Sequence, residues 1–390
     1  MKNQIIELNR RIEEARKAYY VDAQPILSDA EYDQLEKQLE AAVKGTPEFR
    51  HLATALNTVG SDLTPVSGRV KHSQPMLSIE NKYEESDLID WYATLPSDTP
   101  VCLEPKFDGI SVELLFKDRI LVQAATRGTG LEGEDITAQV MAVASIPKKL
   151  DLGFEFSETL RIRGELVMKN STLERINAQA RIAGGKVYSS TRNLTSGTMK
   201  LKDISLIPDR EILMMPWDVL GGSYLPDSGL ARLQAVAKVG FPEPLGVVVN
   251  DKESVNAVLR CKLIERIEML RNQMSLETDG VVIKVDSHGL RKELGVGSKY
   301  TNYQVCFKPQ SARGETFLRA VEWQVGRSGK LTPVGIVDPL NLAGAVINKV
   351  NLNNISWIQA MGLKINSKIS LVRSGDVIPV VEKVLGEELE

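Results

Sequence analysis

The chain has 390 residues, 43% of them hydrophobic and 25% charged, with a formal net charge of −3. That length and apolar content exclude a chiefly disordered chain and suit two or three domains of about 100–200 residues each. The near-neutral balance excludes a uniformly basic nucleic-acid binder, so a polyanion would have to meet a local patch.

The first ten residues, from Met1 to Arg10, carry charges at Lys2, Glu7 and Arg10 and lack the apolar stretch of a leader. Ile5, Leu8, Ile12, Ala15 and Tyr19 then recur at helical spacing and predict a first helix. A turn around Asp22–Pro25 follows. Ser28 and Glu31 form a capping box that opens a second helix, and Gly45-Thr46-Pro47 stops it. Residues 53–75 are rich in Thr, Ser, Gly and Pro and read as a connector. From about position 100 the pattern changes to short strands, such as Ser111–Phe116 and Ile120–Ala124, with helices expected over 171–182 and 254–272.

Gly128-Thr129-Gly130-Leu131-Glu132-Gly133 matches GxGxxG after a strand. A dinucleotide fold would need a second parallel strand and an acid about 20 residues on. The stretch Lys148–Gly153 is turn-like instead, so a hydride-transferring fold is disfavoured, and no phosphate-loop motif occurs. Cys102, Cys261 and Cys306 form no CxxC pair. That excludes a four-cysteine zinc module and a disulfide scaffold, and suits a reducing, cytoplasmic compartment. No apolar run approaches the roughly 20 residues of a membrane span.

Charged residues inside strand patterns carry more information. In 279–285, alternation sets Val282 and Lys284 on one face and Val281, Ile283 and Val285 on the other. Gln304, Cys306 and Lys308 share a face likewise. Arg161, Arg163 and Glu165 project opposite Ile162, Gly164, Leu166 and Met168. A single strand lysine is ordinarily an edge residue. Several together beside apolar runs read better as a polar cleft between sheets, lined for a phosphorylated ligand. Lys106, in Glu104–Gly109, lies at a strand-to-turn junction. It could act as a nucleophile if burial and the cations Lys284 and Lys308 lowered its pKa. The last 80 residues are strand-rich, with turns at 326–330, 341–344 and 374–376, and suggest a small barrel. Between 311 and 380 there are eight bases and four acids, a local excess that suits nucleic acid as well as an ordinary solvated surface.

Lys106-Phe107-Asp108-Gly109 resembles the KxDG motif of the covalent nucleotidyltransferases, the DNA and RNA ligases and capping enzymes. Arg127-Gly128, Arg163-Gly164-Glu165, Asp279–Lys284 and Phe307-Lys308 resemble the motifs that follow it, in order. Further stretches resemble the NAD-dependent DNA ligases. These are Pro75–Ile79 on the adenine side, Arg192-Asn193 with Ser196-Gly197, Gln324–Val334 and Arg373–Pro379 in an OB fold, and Tyr19 with Asp29–Asp33 in a nicotinamide site.

The resemblance implies an α+β fold: a helical cap (1–65), an antiparallel-sheet nucleotidyltransferase domain (66–310) and an OB-fold barrel (311–390). It implies a ligase that consumes NAD as adenylate donor with Mg²⁺, forms lysyl-AMP on Lys106 and seals nicked double-stranded DNA as a monomer. An adenylation fragment or subunit that needs a partner chain is the alternative, and a nucleic-acid binder with a dead site is a third. Carried over residue by residue, Lys106, Asp108, Glu165, Lys284 and Lys308 are catalytic. Tyr19, Tyr20, Asp29, Tyr32 and Asp33 take the nicotinamide half, while Ser78, Ile79, Glu104 and Arg127 take the adenosine. Arg192, Lys200, Arg271, Arg327 and Arg373 meet phosphates of NAD or DNA. Metal ligands stay unassigned.

The cap reading also has a physical basis. Asp29, Tyr32 and Asp33 share one helical face, a tyrosine can stack on a pyridinium, and carboxylates suit its charge. Equally, Tyr32 could simply belong to the apolar stripe with Leu35 and Leu39. Three departures from the family pattern are Tyr20 and Asn353 where histidine is usual, and Lys200 where arginine is usual. The expected form is short, lacking the zinc, helix-hairpin-helix and BRCT domains of longer relatives.

Overall fold

A computed structural model of the chain describes residues 2–18, 26–27, 29–57, 68–150, 159–221, 225–249, 273–308, 313–325, 331–342, 345–352, 355–374 and 378–387. They divide into two compact units, Met1–Lys308 and Pro309–Glu390.

The first unit opens with α1 (Lys2–Arg16) and α2 (Asp29–Gly45). Their helical period packs Ile5, Leu8 and Ile12 against Leu35, Leu39 and Val43, and fully burying each such side chain stabilises by about 1.5–3 kcal/mol. α2 ends at Gly45, and two 3₁₀ turns, Pro47–Leu52 and Thr54–Asn57, add Ala53 and Ala55 to the same cluster. Tyr19, the Asp22–Pro25 turn and Ser28 of the expected capping box lie outside the described residues.

The rest of this unit runs β1 (Arg69–Lys71), β2 (Ser78–Lys82), α3 (Glu85–Ala93), β3 (Val101–Phe107), β4 (Ile110–Lys117), β5 (Ile120–Thr126), β6 (Glu132–Glu134), α4 (Thr137–Ala142), β7 (Leu160–Val167), α5 (Asn170–Ala183), α6 (Thr191–Met199), β8 (Leu213–Gly221), α7 (Gly229–Ala237), β9 (Val247–Val249), β10 (Thr278–Val285), α8 (His288–Leu294) and β11 (Tyr300–Phe307). The helix expected over 254–272 lies outside the described residues.

Two sheets face the site. One has the order β2-β11-β10-β3-β9, the other β5-β4-β7-β8. Pairing is antiparallel except for β2 with β11. The alternation along β10 places Val281, Ile283 and Val285 in one core with Leu88, Tyr92 and Val305. Along β7, Ile162 and Leu166 join a second core with Val140, Leu194 and Leu233 from α4, α6 and α7.

The GxGxxG segment is a tight turn. Thr129 N–H donates to the Glu132 carbonyl (3.0 Å), and β6 pairs antiparallel with β1. A Cβ at Gly133 would lie 1.7 Å from the Thr126 carbonyl, so the glycine serves close strand approach rather than the strand-to-helix turn of a hydride-transferring fold.

The second unit is a closed barrel. β12 (Arg313–Val325), β13 (Leu331–Leu342), β14 (Ala345–Asn351), β15 (Ser367–Ser374) and β16 (Ile378–Glu387) close in the order β12-β13-β14-β16-β15, with α9 (Ile355–Met361) between β14 and β15. Leu318, Val337, Val350, Ile369 and Leu371 fill it. The whole is the α+β architecture expected. Among the described residues no helix is long and apolar enough to cross a membrane.

Candidate active site

A cavity of about 310 Å³ opens between the two sheets of the first unit and reaches the helical N-terminus. Strand alternation builds its floor. Glu104 and Lys106 on β3 and Val282 and Lys284 on β10 turn toward it, away from the apolar core that Val281 and Ile283 join. Gln304 and Lys308 come from β11 and its end, and Glu165 and Ser111 from β7 and β4, where the two are paired neighbours.

Lys106 Nζ donates to both carboxylate oxygens of Asp279, at 2.8 and 2.7 Å, and Lys308 Nζ lies 3.5 Å from Asp279 Oδ2. A β-bulge sets this geometry. The β3–β10 register shifts between Thr278 and Gly280, which leaves Asp279 as the extra residue opposite Lys106. Gly280 is required beside it, because a Cβ there would lie 2.6 Å from the Phe307 carbonyl. Burial alone would push the Lys106 ammonium down. Asp279 outweighs that burial and holds its pKa above the ordinary lysine value, with Lys308 opposing. Burial would likewise raise Asp279, but Lys106 and Lys308 hold it below the usual carboxylate range. The expectation that neighbouring cations lower Lys106 is therefore corrected for this arrangement: the carboxylate dominates.

Asp108 does not line the cavity. It accepts from Arg192 Nη1 (2.9 Å), and burial together with Asp279 raises its pKa despite that arginine. Arg192 itself lines the cavity. Glu165 accepts from the Ser111 hydroxyl (2.7 Å), and burial raises its pKa although Arg192 and Ser111 oppose.

At the inner end, Lys284 Nζ donates to Glu104 Oε2 (2.8 Å) and to the Trp217 carbonyl (2.6 Å). Both side chains are buried, at 4% and 10% exposure. Glu104 Oε1 is buried with no hydrogen-bond partner, an acceptor that a bound donor could satisfy. Ser78, Ile79 and Arg127 complete this part of the lining.

From α2, Tyr32 and Asp33 reach the same cavity. Tyr32 does two things at once. Its ring packs on the cluster of Leu35 and Leu39, and its hydroxyl accepts from Arg16 and donates to Glu36, both at 2.6 Å. Asp33 Oδ2 accepts from Asn81 Nδ2 (3.0 Å).

The cavity thus gathers Lys106, Glu165, Lys284, Lys308, Tyr32, Asp33, Ser78, Ile79, Glu104, Arg127 and Arg192. Lys200 is exposed at the end of α6 and does not line it. Tyr19, Tyr20, Arg271, Arg327 and Asn353 lie outside the described residues, as do the side chains of Asp29 and Arg373. Sequence reasoning missed Asp279 as a site residue. The signal was present, an acid directly before the glycine of a strand whose lysine had been noticed, but strand alternation does not reveal a bulge.

Matches to family models cover most of the chain. The NAD-dependent DNA ligase adenylation domain matches residues 67–312, the NAD-dependent DNA ligase OB-fold domain 315–390, and the DNA ligase-like N-terminal NAD⁺-binding domain 1–53. Among solved structures, the chain is similar to a Lig E DNA ligase described as binding DNA with a minimal scaffold (14% identity, 79% of this chain and 98% of that one, TM-score 0.33). It is also similar to a mycobacterial DNA ligase D complexed with ATP and MES (13% identity, 80% and 95%, TM-score 0.34). A third is the Chlorella virus DNA ligase-adenylate (10% identity, 80% and 99%, TM-score 0.32).

Proposed function

The chain belongs to the NAD-dependent DNA ligases, and from that premise we propose that it seals nicks in duplex DNA through a lysyl-AMP intermediate on Lys106. The observation that carries this reading is the ion pair of Lys106 with Asp279 in a cavity that runs from Glu104 to Tyr32 and Asp33. One end offers an unsatisfied buried acceptor, which suits an exocyclic amine. The other offers an aromatic ring and a carboxylate, which suit a cationic pyridinium and its ribose.

In the first step Lys106 gives up its proton to solvent, and the neutral amine, aimed by Asp279, attacks the adenylyl phosphorus. A P–N bond forms, and the P–O bond to nicotinamide mononucleotide breaks. The adenylate then passes to a 5′-phosphate at the nick with release of the Lys106 nitrogen. The 3′-hydroxyl finally attacks that phosphate, expelling AMP. Such transfers depend chiefly on positioning and charge neutralisation. Lys308 and Lys284 supply positive charge for the transferred phosphate, and Glu165 and Arg127 suit the ribose side. Asp108 acts at one remove by orienting Arg192.

Among the described residues no three His, Cys, Asp or Glu side chains gather as a cation cage. Mg²⁺ seldom needs one, since it keeps waters and is shared between substrate phosphates and one or two carboxylates. Glu165 and Asp279 line the cavity and fit such partial ligation. Bound there, the ion would neutralise polyphosphate charge.

The reading assigns residues 1–65 to the nicotinamide cap, 66–310 to adenylation and 311–390 to DNA contact, in a monomer. Buried thiols at Cys102 and Cys306 fit work in the reducing cytoplasm. The test is intact mass after mixing with NAD and Mg²⁺, followed by addition of nicked duplex DNA. An AMP-sized gain that Lys106→Ala abolishes, then discharge with sealing, is expected. No gain, or a gain that survives Lys106→Ala, overturns the mechanism. A gain without sealing makes the chain an adenylation subunit.

A further inference from the structure

Where the N-terminal helices meet the nucleotide-binding sheets, Arg16, Glu36 and Lys299 line the same cavity and form a buried charge cluster with Tyr32, of which the chemistry above uses only Tyr32. Its centre is Glu36 on α2. Oε1 accepts from the Tyr32 hydroxyl (2.6 Å) and Arg16 Nη2 (3.0 Å), and Oε2 accepts from Lys299 Nζ (2.6 Å). Arg16 also donates to the Ala55 carbonyl (2.8 Å). All three charged residues are more than nine-tenths buried. Arg16, Tyr32 and Glu36 belong to the helical segment. Lys299 belongs to the body and directly precedes β11.

The body side of this contact leads straight to the adenosine end of the cavity. The Lys299 carbonyl accepts the N–H of Ser78 (3.0 Å), the first residue of β2, and Tyr300 pairs with Ser78. Further along β2, Asn81 donates to Asp33. α2 therefore meets the β2–β11 edge through two polar contacts. Glu36 stands four residues after Tyr32 and three after Asp33, so all three share one helical face.

Apolar packing is non-directional and would let the helices slide or rotate on the sheet. A carboxylate with three fixed donors permits little of either, because charge-assisted hydrogen bonds are short and directional. Removing one partner strands a buried charge, so the seat exists only when both sides meet.

We propose that Glu36 and Lys299 form a latch that seats the helical cap on the nucleotide cavity, and that they are positioning residues for recognition of the nicotinamide half of NAD. This rests on the ligase reading above. Neither residue contacts the reacting phosphorus in that reading; each acts by placing Tyr32 and Asp33. The latch therefore serves the one step that uses NAD and is idle once adenylate has left the enzyme.

The experiment compares two reactions of the full chain: self-adenylation with NAD, and sealing of a nick whose 5′-phosphate is already adenylylated. Lys299→Ala and Glu36→Gln should each raise the KM for NAD by about 10–100-fold, with a smaller change in kcat, since misplacement of about 1 Å can cost 10²-fold. Sealing of the adenylylated nick should hold within about twofold of wild type. Lys299→Arg, which keeps a cation in place, should recover most of the NAD affinity. If wild type accepts AMP from NAD and both variants keep its KM, the latch is overturned and the ligase reading stands. If both reactions fall together in the variants, the cluster merely supports folding and the latch is again overturned. If wild type takes no AMP from NAD, both readings fall together.

Discussion

Lys106 keeps its proton here because Asp279 outweighs both burial and Lys308. A lysine attacks only when neutral, so the proton that Asp279 holds on the Lys106 amine has to leave before any attack. The sign of the pH effect follows. The folded pKa of Lys106 is raised above the ordinary 10.5, so the ion pair contributes its full stability below that value and loses it as pH rises through the higher folded one. Asp279→Asn removes the partner that raises Lys106 and leaves burial and Lys308, which both lower it. The midpoint of the pH–rate profile for AMP transfer should move to lower pH. The plateau rate should nevertheless fall by about 10²-fold through loss of the carboxylate that aims the amine. Quenched-flow mass spectrometry across neutral to alkaline pH measures both, and an unmoved midpoint would show that Asp279 does not govern this proton.

At the scale of elements, β10 joins core to chemistry. Val281 and Ile283 hold one sheet on its packing helices, while Val282 and Lys284 floor the cavity. Lys284→Met should therefore do more than slow adenylation. It leaves the buried Glu104 carboxylate without its cation, and breaking a buried pair on one side costs about 3–5 kcal/mol. A melting scan should show the loss, and adding Glu104→Gln should recover much of the stability without the activity. The two faces of β10 and β7 were legible in the sequence because strand period is local: alternation alone separates Lys284 from Ile283 and Glu165 from Leu166. The spacing in α1 and α2 was legible for the same reason. Features that depend on distant partners were not. The bulge that aims Asp279 exists only in the pairing of β10 with β3, and Asp108 turns to Arg192, 84 residues away. Glu36 looks like any solvated helix residue until Lys299 arrives from 263 positions on.

For the whole molecule, the near-neutral total of −3 hides a division of labour. Among the described residues, every one that lines the cavity, from Ala15 to Lys308, lies in the first unit, whose cores are its own. The second unit closes a separate barrel; its bases exceed its acids by four between 311 and 380, and residues 381–390 return four acids against one base. NAD chemistry and DNA grip should therefore separate at the boundary. A chain ending at Lys308 should fold, accept AMP from NAD at a rate within about tenfold of the full chain, and fail to seal nicks. For the full chain, nick affinity should fall steeply with salt, because each phosphate neutralised by Lys or Arg contributes a slope of about −0.9 in log K against log salt. Filter binding of adenylylated enzyme to nicked duplex, across a salt series, measures the slope directly. If residues 1–308 seal nicks at the full-length rate, the barrel is not the DNA-gripping unit.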